Sequence, residues 1–141
     1  MRGFLLSGAA IALMAASEPM APVDYGSPIS YDDAVQVGEK YIKASLLDPY
    51  SAHIDWSYNF VPFTEKVPFF KRTTGYASCV TVNAKNAYGG YVGEKTYRII
   101  IRDGRVIDYM PVSDLKFVPD ICKELADKYG MSPAPNPRHY P

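Results

Sequence analysis

Cysteine and histidine carry the widest chemistry of any side chains, and this sequence is sparing with both: Cys79 and Cys122, His53 and His139. Two thiols can close a disulfide, or one can act as a nucleophile with an imidazole as its base. The nucleophile would be Cys79 served by His53, but neither residue sits in a local cysteine-protease signature. A metal centre needs several convergent His, Cys or carboxylate ligands, and this chain does not offer such a set. Gly89-Gly90 and Gly93 lack the lysine and the strand-to-helix setting of a phosphate loop. No Gly-x-Ser-x-Gly elbow and no His-Glu-x-x-His pair is present. The carboxylates Asp32 with Asp33, and Asp55 with Glu65, are accounted for by helix capping and solvent exposure. No catalytic residue, metal or cofactor is therefore expected, and binding is favoured over catalysis.

The chemistry that remains lies in one stretch, Cys79 to Gly93. A β-run through Val80, Thr81 and Val82 passes into a polar loop. Asn83, Lys85 and Asn86 supply donors and acceptors; Tyr88 and Tyr91 supply flat aromatic faces; Gly89 and Gly90 let the backbone turn sharply. Aromatic faces beside amides suit sugars and peptides. The competing reading is a structured hairpin whose asparagines cap turns and whose tyrosines cover a sheet edge.

The amino terminus bears on the compartment. Met1-Arg2-Gly3 is positively charged, and Phe4 to Ala16 carries no charge and is too short to span a bilayer as a helix. That is the form of a secretory signal, with small residues at −3 and −1 for a cut after Ser17; a later cut after Ala21 would put Pro19 at −3. Export predicts a periplasmic or secreted protein without a membrane span in its mature chain. In an oxidising compartment the two cysteines form one disulfide, Cys79 to Cys122. About 42 residues lie between them, a loop worth roughly 4 kcal/mol in the chain-entropy model.

Length and charge set outer limits. The 141 residues suit a single domain. Lys plus Arg and Asp plus Glu balance at 15 each, which argues against a nucleic-acid partner and against a polybasic membrane surface. Tyrosine outnumbers phenylalanine 12 to 6, as suits half-buried sheet faces.

The elements that must position these residues follow from periodicity. Residues 18–29 form a proline-bearing linker and residues 30–130 the domain. Ser30 caps a helix from Tyr31 to Leu47, with Asp33 completing a variant capping box and Gly38 allowing close approach to a sheet. Asp48-Pro49 ends it. Ile54 to Phe60 reads as a strand with Ile54, Trp56 and Tyr58 on its core face. Val61 to Phe70 reads as an irregular apolar connection packed as a core flap. Strands follow at Tyr76 to Ala84, Lys95 to Arg102 and Arg105 to Tyr109, the last two joined by an Asp103-Gly104 turn. A final helix, opening near Ser113-Asp114 or Pro119, buries Val118, Ile121, Cys122, Leu125 and Tyr129 and stops at Gly130. Residues 131–141, rich in proline, read as a disordered tail. The expected class is α+β: an antiparallel sheet of about four strands packed by an N-terminal and a C-terminal helix on one face.

Leu47-Asp48-Pro49-Tyr50-Ser51-Ala52, together with Cys79 to Gly93, resembles a pattern in small exported bacterial proteins of no assigned activity, some of them lipoproteins. The resemblance implies export and an envelope setting. The lipid-attachment cysteine is missing from this chain, so an anchor is not implied. The expected function is a non-catalytic binding domain of the bacterial envelope, meeting an envelope protein or a cell-wall component through Asn83 to Tyr91. Two alternatives stand beside it: a cell-wall-directed hydrolase or hydrolase inhibitor using His53 and Asp55, and a structural subunit of an envelope assembly. The oligomeric state is left open.

Overall fold

Ser30 holds an extended backbone (φ −70°, ψ 158°), and its hydroxyl accepts from the Asp33 amide at 3.1 Å while donating to the Asp33 carboxylate at 2.7 Å. This reciprocal cap starts helix α1, Tyr31–Ala44. The helix ends three residues earlier than its apolar spacing predicts. Both the amide and the hydroxyl of Ser45 turn back to the Ile42 carbonyl, at 3.0 and 2.7 Å, and close the last turn. A short 3₁₀ turn, Pro49–Ser51, then leads into the sheet. The computed structural model describes residues 21–112 and 121–136; the expected signal segment up to residue 20, its cut after Ser17 and the opening of the last helix lie outside them.

Five strands form one antiparallel sheet: β1 His53–Trp56, β2 Val61–Glu65, β3 Thr73–Asn83, β4 Lys95–Arg102 and β5 Arg105–Pro111. Their order is β1-β3-β4-β5, with β2 also paired to β3. β1 and β2 therefore share one flank of β3, pairing with Val80–Asn83 and with Thr73–Ala77 respectively. The Asp103-Gly104 turn between β4 and β5 has positive φ at both residues (50° and 71°), as a type I′ hairpin requires.

Two expectations fail in this region for local reasons. Val61–Glu65 is a strand, not an irregular connection. It is an edge strand, where Pro62 has no ladder hydrogen bond to lose on its open side. β1 stops at Trp56 rather than running to Phe60, and Tyr58 packs with the Phe63 cluster on the other side of the sheet. The Ser78 hydroxyl donates to the Tyr58 carbonyl at 2.8 Å. The gap between β1 and β2 is filled from the far end of the chain: Asn59 donates to the Ser132 carbonyl and Ala134 to that of Ser57, at 2.8 and 3.2 Å.

Each face of the sheet has its own helix. Ala34, Val35 and Ile42 of α1 pack on Ile54, Trp56, Val80, Val82, Ile99 and Ile101. The alternate residues Ala77, Cys79 and Ile100 face the opposite way. Over them lies α2, Ile121–Tyr129, which buries Cys122 and Ala126 and packs Leu125 and Tyr129 near Phe63. The helices thus sandwich the sheet instead of sharing a face.

Helix α2 closes with Gly130 at φ 64° and the Met131 amide donating to the Ala126 carbonyl at 2.9 Å, a Schellman arrangement. Met131 and Ala134 are buried, so the segment expected to be a free tail is packed against the domain through Asn136. The linker is tied down as well over its described part: the Ser27 amide donates to the Asp103 carboxylate at 2.8 Å, and Arg102 to the Asp24 carbonyl at 2.7 Å.

Candidate functional site

Cys79 and Cys122 are joined in a disulfide, with Cα atoms 6.0 Å apart. Cys79 is fully buried. A bonded, buried sulfur is no nucleophile, and the pairing of Cys79 with His53 as a reactive couple is thereby removed.

The residues of the 83–91 loop come together at the end of β3. The Asn86 side-chain carbonyl accepts from the amides of Tyr88 and Gly90, at 2.9 and 3.2 Å, and the Asn86 amide donates to the Gly90 carbonyl at 2.8 Å. The Asn83 side chain accepts from the Gly93 amide at 3.1 Å, and Val92 donates to the Ala84 carbonyl at 3.2 Å. Gly89 and Gly93 have φ of 79° and 94°. Both asparagine oxygens therefore brace the loop, as the turn-capping reading expects. What they brace is an aromatic display. Tyr88 is 97% exposed, so its ring adds nothing to the core.

Tyr91 is the inner wall of this surface. Its hydroxyl lies 3.0 Å from His53 Nε2, the two rings are 5.0 Å apart, and Lys85 Nζ stands 5.4 Å from the Tyr91 ring centre. The Lys85 amide donates to the Ser51 hydroxyl at 2.9 Å. That bond joins the two sequence stretches, 47–52 and 79–93, that carry the resemblance. It also places Tyr50, fully exposed, and Leu47, 80% exposed, on elements adjoining the loop. Neither residue stands out in the sequence, because an exposed apolar side chain next to a proline turn reads as ordinary.

Away from the loop, two arginines organise charge. On the α2 side, Arg98 spans Glu65 at 3.0 Å and Asp108 at 2.8 Å, with its guanidinium 5.4 Å from the Phe63 ring centre. At the opposite end of the sheet, Arg102 binds the Asp24 carboxylate at 2.5 Å and also the Thr74 hydroxyl. The Gly26 amide and then Arg102 hold the Asp24 carboxyl below the ordinary carboxylate range, and the Ser27 amide does the same for Asp103. An open cavity of about 720 Å³ adjoins this cluster, lined by Val23, Arg72, Thr73 and Ile107 among others. Among the described residues no helix is long and apolar enough to cross a membrane, and no group of three His, Cys, Asp or Glu side chains converges. Comparison with family models, with curated proteins and with solved structures finds no match to this chain, so its site rests on geometry alone.

Proposed function

We propose that this protein is an exported, non-catalytic binding domain of the bacterial envelope, and that it meets a cell-wall component or an envelope protein through the loop from Asn83 to Tyr91. One observation carries the reading. The loop is cross-braced by its own asparagines while Tyr88 stands in water, so a partner gains aromatic contact without ordering the loop first. The disulfide supports the compartment, because such bonds persist in oxidising surroundings.

Two measurements test it. The intact mass of protein from an exporting host, with and without reductant and thiol alkylation, reports the compartment. Loss of the first 17 to 21 residues and no alkylation before reduction are expected; a full-length chain with free thiols refutes export. For the site, wild type and Tyr88→Ala with Tyr91→Ala are compared for sedimentation with purified cell-wall sacculi and for capture from envelope extracts. The variant is expected to lose one of the two, and unchanged behaviour in both removes the loop as the site.

A further inference from the structure

β2 and β3 pair up to Glu65↔Thr73, leaving residues 66–72, Lys-Val-Pro-Phe-Phe-Lys-Arg, as the tip of their hairpin. Apolar residues in a loop ordinarily fold back onto the core. These do not: Phe69 is 105% exposed, Phe70 73% and Val67 46%. Phe63, in the adjoining strand, is by contrast 1% exposed and supplies the core contact.

The tip is also built, not slack. The Phe70 amide donates to the Val67 carbonyl at 3.1 Å, closing a turn with Pro68 in its second position and Phe69 at φ 68° in its third. That is the arrangement of a type II turn, whose third position calls for glycine or asparagine. Phenylalanine is poorly suited there sterically, and a requirement only to reverse the chain would not place it there. Proline in the second position pre-sets the turn, so the two rings are held out together.

Charge identifies the occupant. Lys66 precedes the apolar residues and Lys71 and Arg72 follow them, all exposed and with no carboxylate between. The adjoining carboxylate Glu65 is engaged by Arg98, and Asp24, which lines the same cavity as Arg72, is engaged by Arg102. A chain with no net charge thus concentrates three cations around two protruding rings. The whole-chain balance that argues against a membrane surface does not apply locally. Aromatic rings at acyl-boundary depth with a collar of Lys and Arg at headgroup level is the pattern of interfacial anchoring.

We infer that the 66–72 hairpin tip inserts Phe69 and Phe70 into the surface of an anionic lipid bilayer, with Lys66, Lys71 and Arg72 contacting lipid phosphates. This site is independent of the tyrosine loop. The two lie at opposite ends of β3, whose 11 residues span roughly 35 Å at the usual strand rise.

Vesicle co-sedimentation tests the inference, using chain recovered from an exporting host and of one measured mass across all variants. Wild type is expected to bind vesicles of phosphatidylcholine with about one-third phosphatidylglycerol at low salt, and to bind pure phosphatidylcholine at least tenfold more weakly. Phe69→Ser with Phe70→Ser is expected to lower binding at least tenfold. Phe69→Gly is expected to raise the melting temperature, by relieving the positive φ, while weakening binding, which separates membrane contact from folding. Charge reversal at Lys66, Lys71 and Arg72 is expected to abolish the preference for anionic vesicles, and Tyr88→Ala with Tyr91→Ala to leave vesicle binding unchanged. Wild type that ignores anionic vesicles, or a Phe69/Phe70 variant that binds them equally, overturns the inference. So does a tip that captures an envelope protein but no vesicle.

Discussion

Gly38 brings α1 into close approach with the sheet, and replacing it sets two known effects against each other. A Cβ there would stand 2.7 Å from Trp56 Cη2, 3.0 Å from Trp56 Cζ2 and 3.3 Å from Ile99 Cδ1. Carbon atoms prefer about 3.5–4.0 Å, so the first contact is roughly 1 Å too short. Ile99 can move its terminal methyl. Trp56 has little room: it is 1% exposed, with its ring 5.3 Å from that of Phe60. Overpacking of this kind costs about 1–3 kcal/mol. Against it, alanine in a helix interior is favoured over glycine by about 1 kcal/mol. Gly38→Ala is therefore expected to lower the unfolding free energy by up to about 2 kcal/mol in urea melts. Trp56 is the only tryptophan, so its fluorescence reports the displaced ring directly. The reference is Trp56→Phe, which lacks the ring atoms in the clash; in that background Gly38→Ala should become stabilising. Stabilisation by Gly38→Ala in both backgrounds, with Trp56 emission unchanged where Trp56 is retained, would refute the close-approach reasoning.

Two further outcomes are expected. Reducing the Cys79–Cys122 bond, or replacing both residues by alanine, frees a loop closed across 43 positions; the chain-entropy model puts the loss at about 4 kcal/mol. Amide exchange in α2 should accelerate first, and equal urea midpoints with and without reductant would contradict this. Burial, then the neighbouring Tyr97 and Tyr41, raise the Tyr109 phenol well above its ordinary value. The folded state then keeps a proton that the unfolded chain releases, so stability is unaffected below about pH 10 and falls as pH rises beyond it. Tyr109→Phe should flatten that alkaline decline in urea melts from about pH 8 to about pH 11, and an unchanged decline would exclude Tyr109 as its source.

Features fixed by neighbouring residues were legible in the sequence. The Ser30–Asp33 cap, the Asp103-Gly104 turn and the Trp56 core face each follow from residues a few positions apart. The asparagine caps of the 83–91 loop were legible for the same reason. β2 was hidden because prolines mark a break unless the strand lies at an edge, and edge position is a tertiary fact. The docking of residues 131–134 depends on a gap some 70 positions away and leaves no local trace. The placement of α2 was recoverable in principle. Cys79 alternates with Val80 and Val82, which face α1, so a helix bonded to Cys79 belongs on the opposite face. The exposure of Tyr88 and Phe69 could not be read, because identical residues elsewhere in the chain are packed.

The segment that seals the gap between β1 and β2 also bears on how the molecule is completed in time. A chain emerging amino end first delivers β1 to β5 before residues 121–136 appear. Until then the Phe63, Ala77 and Ile100 surface has no α2 over it, the Cys79 sulfur has no mate, and the main-chain groups of Ser57 and Asn59 have no partner from the far end. One late segment resolves all three together, so covering the second face, forming the crosslink and finishing the edge are a single event that follows the strands. A chain halted before that point displays both a bare apolar face and open strand backbone, the two features by which unfinished sheets adhere to one another.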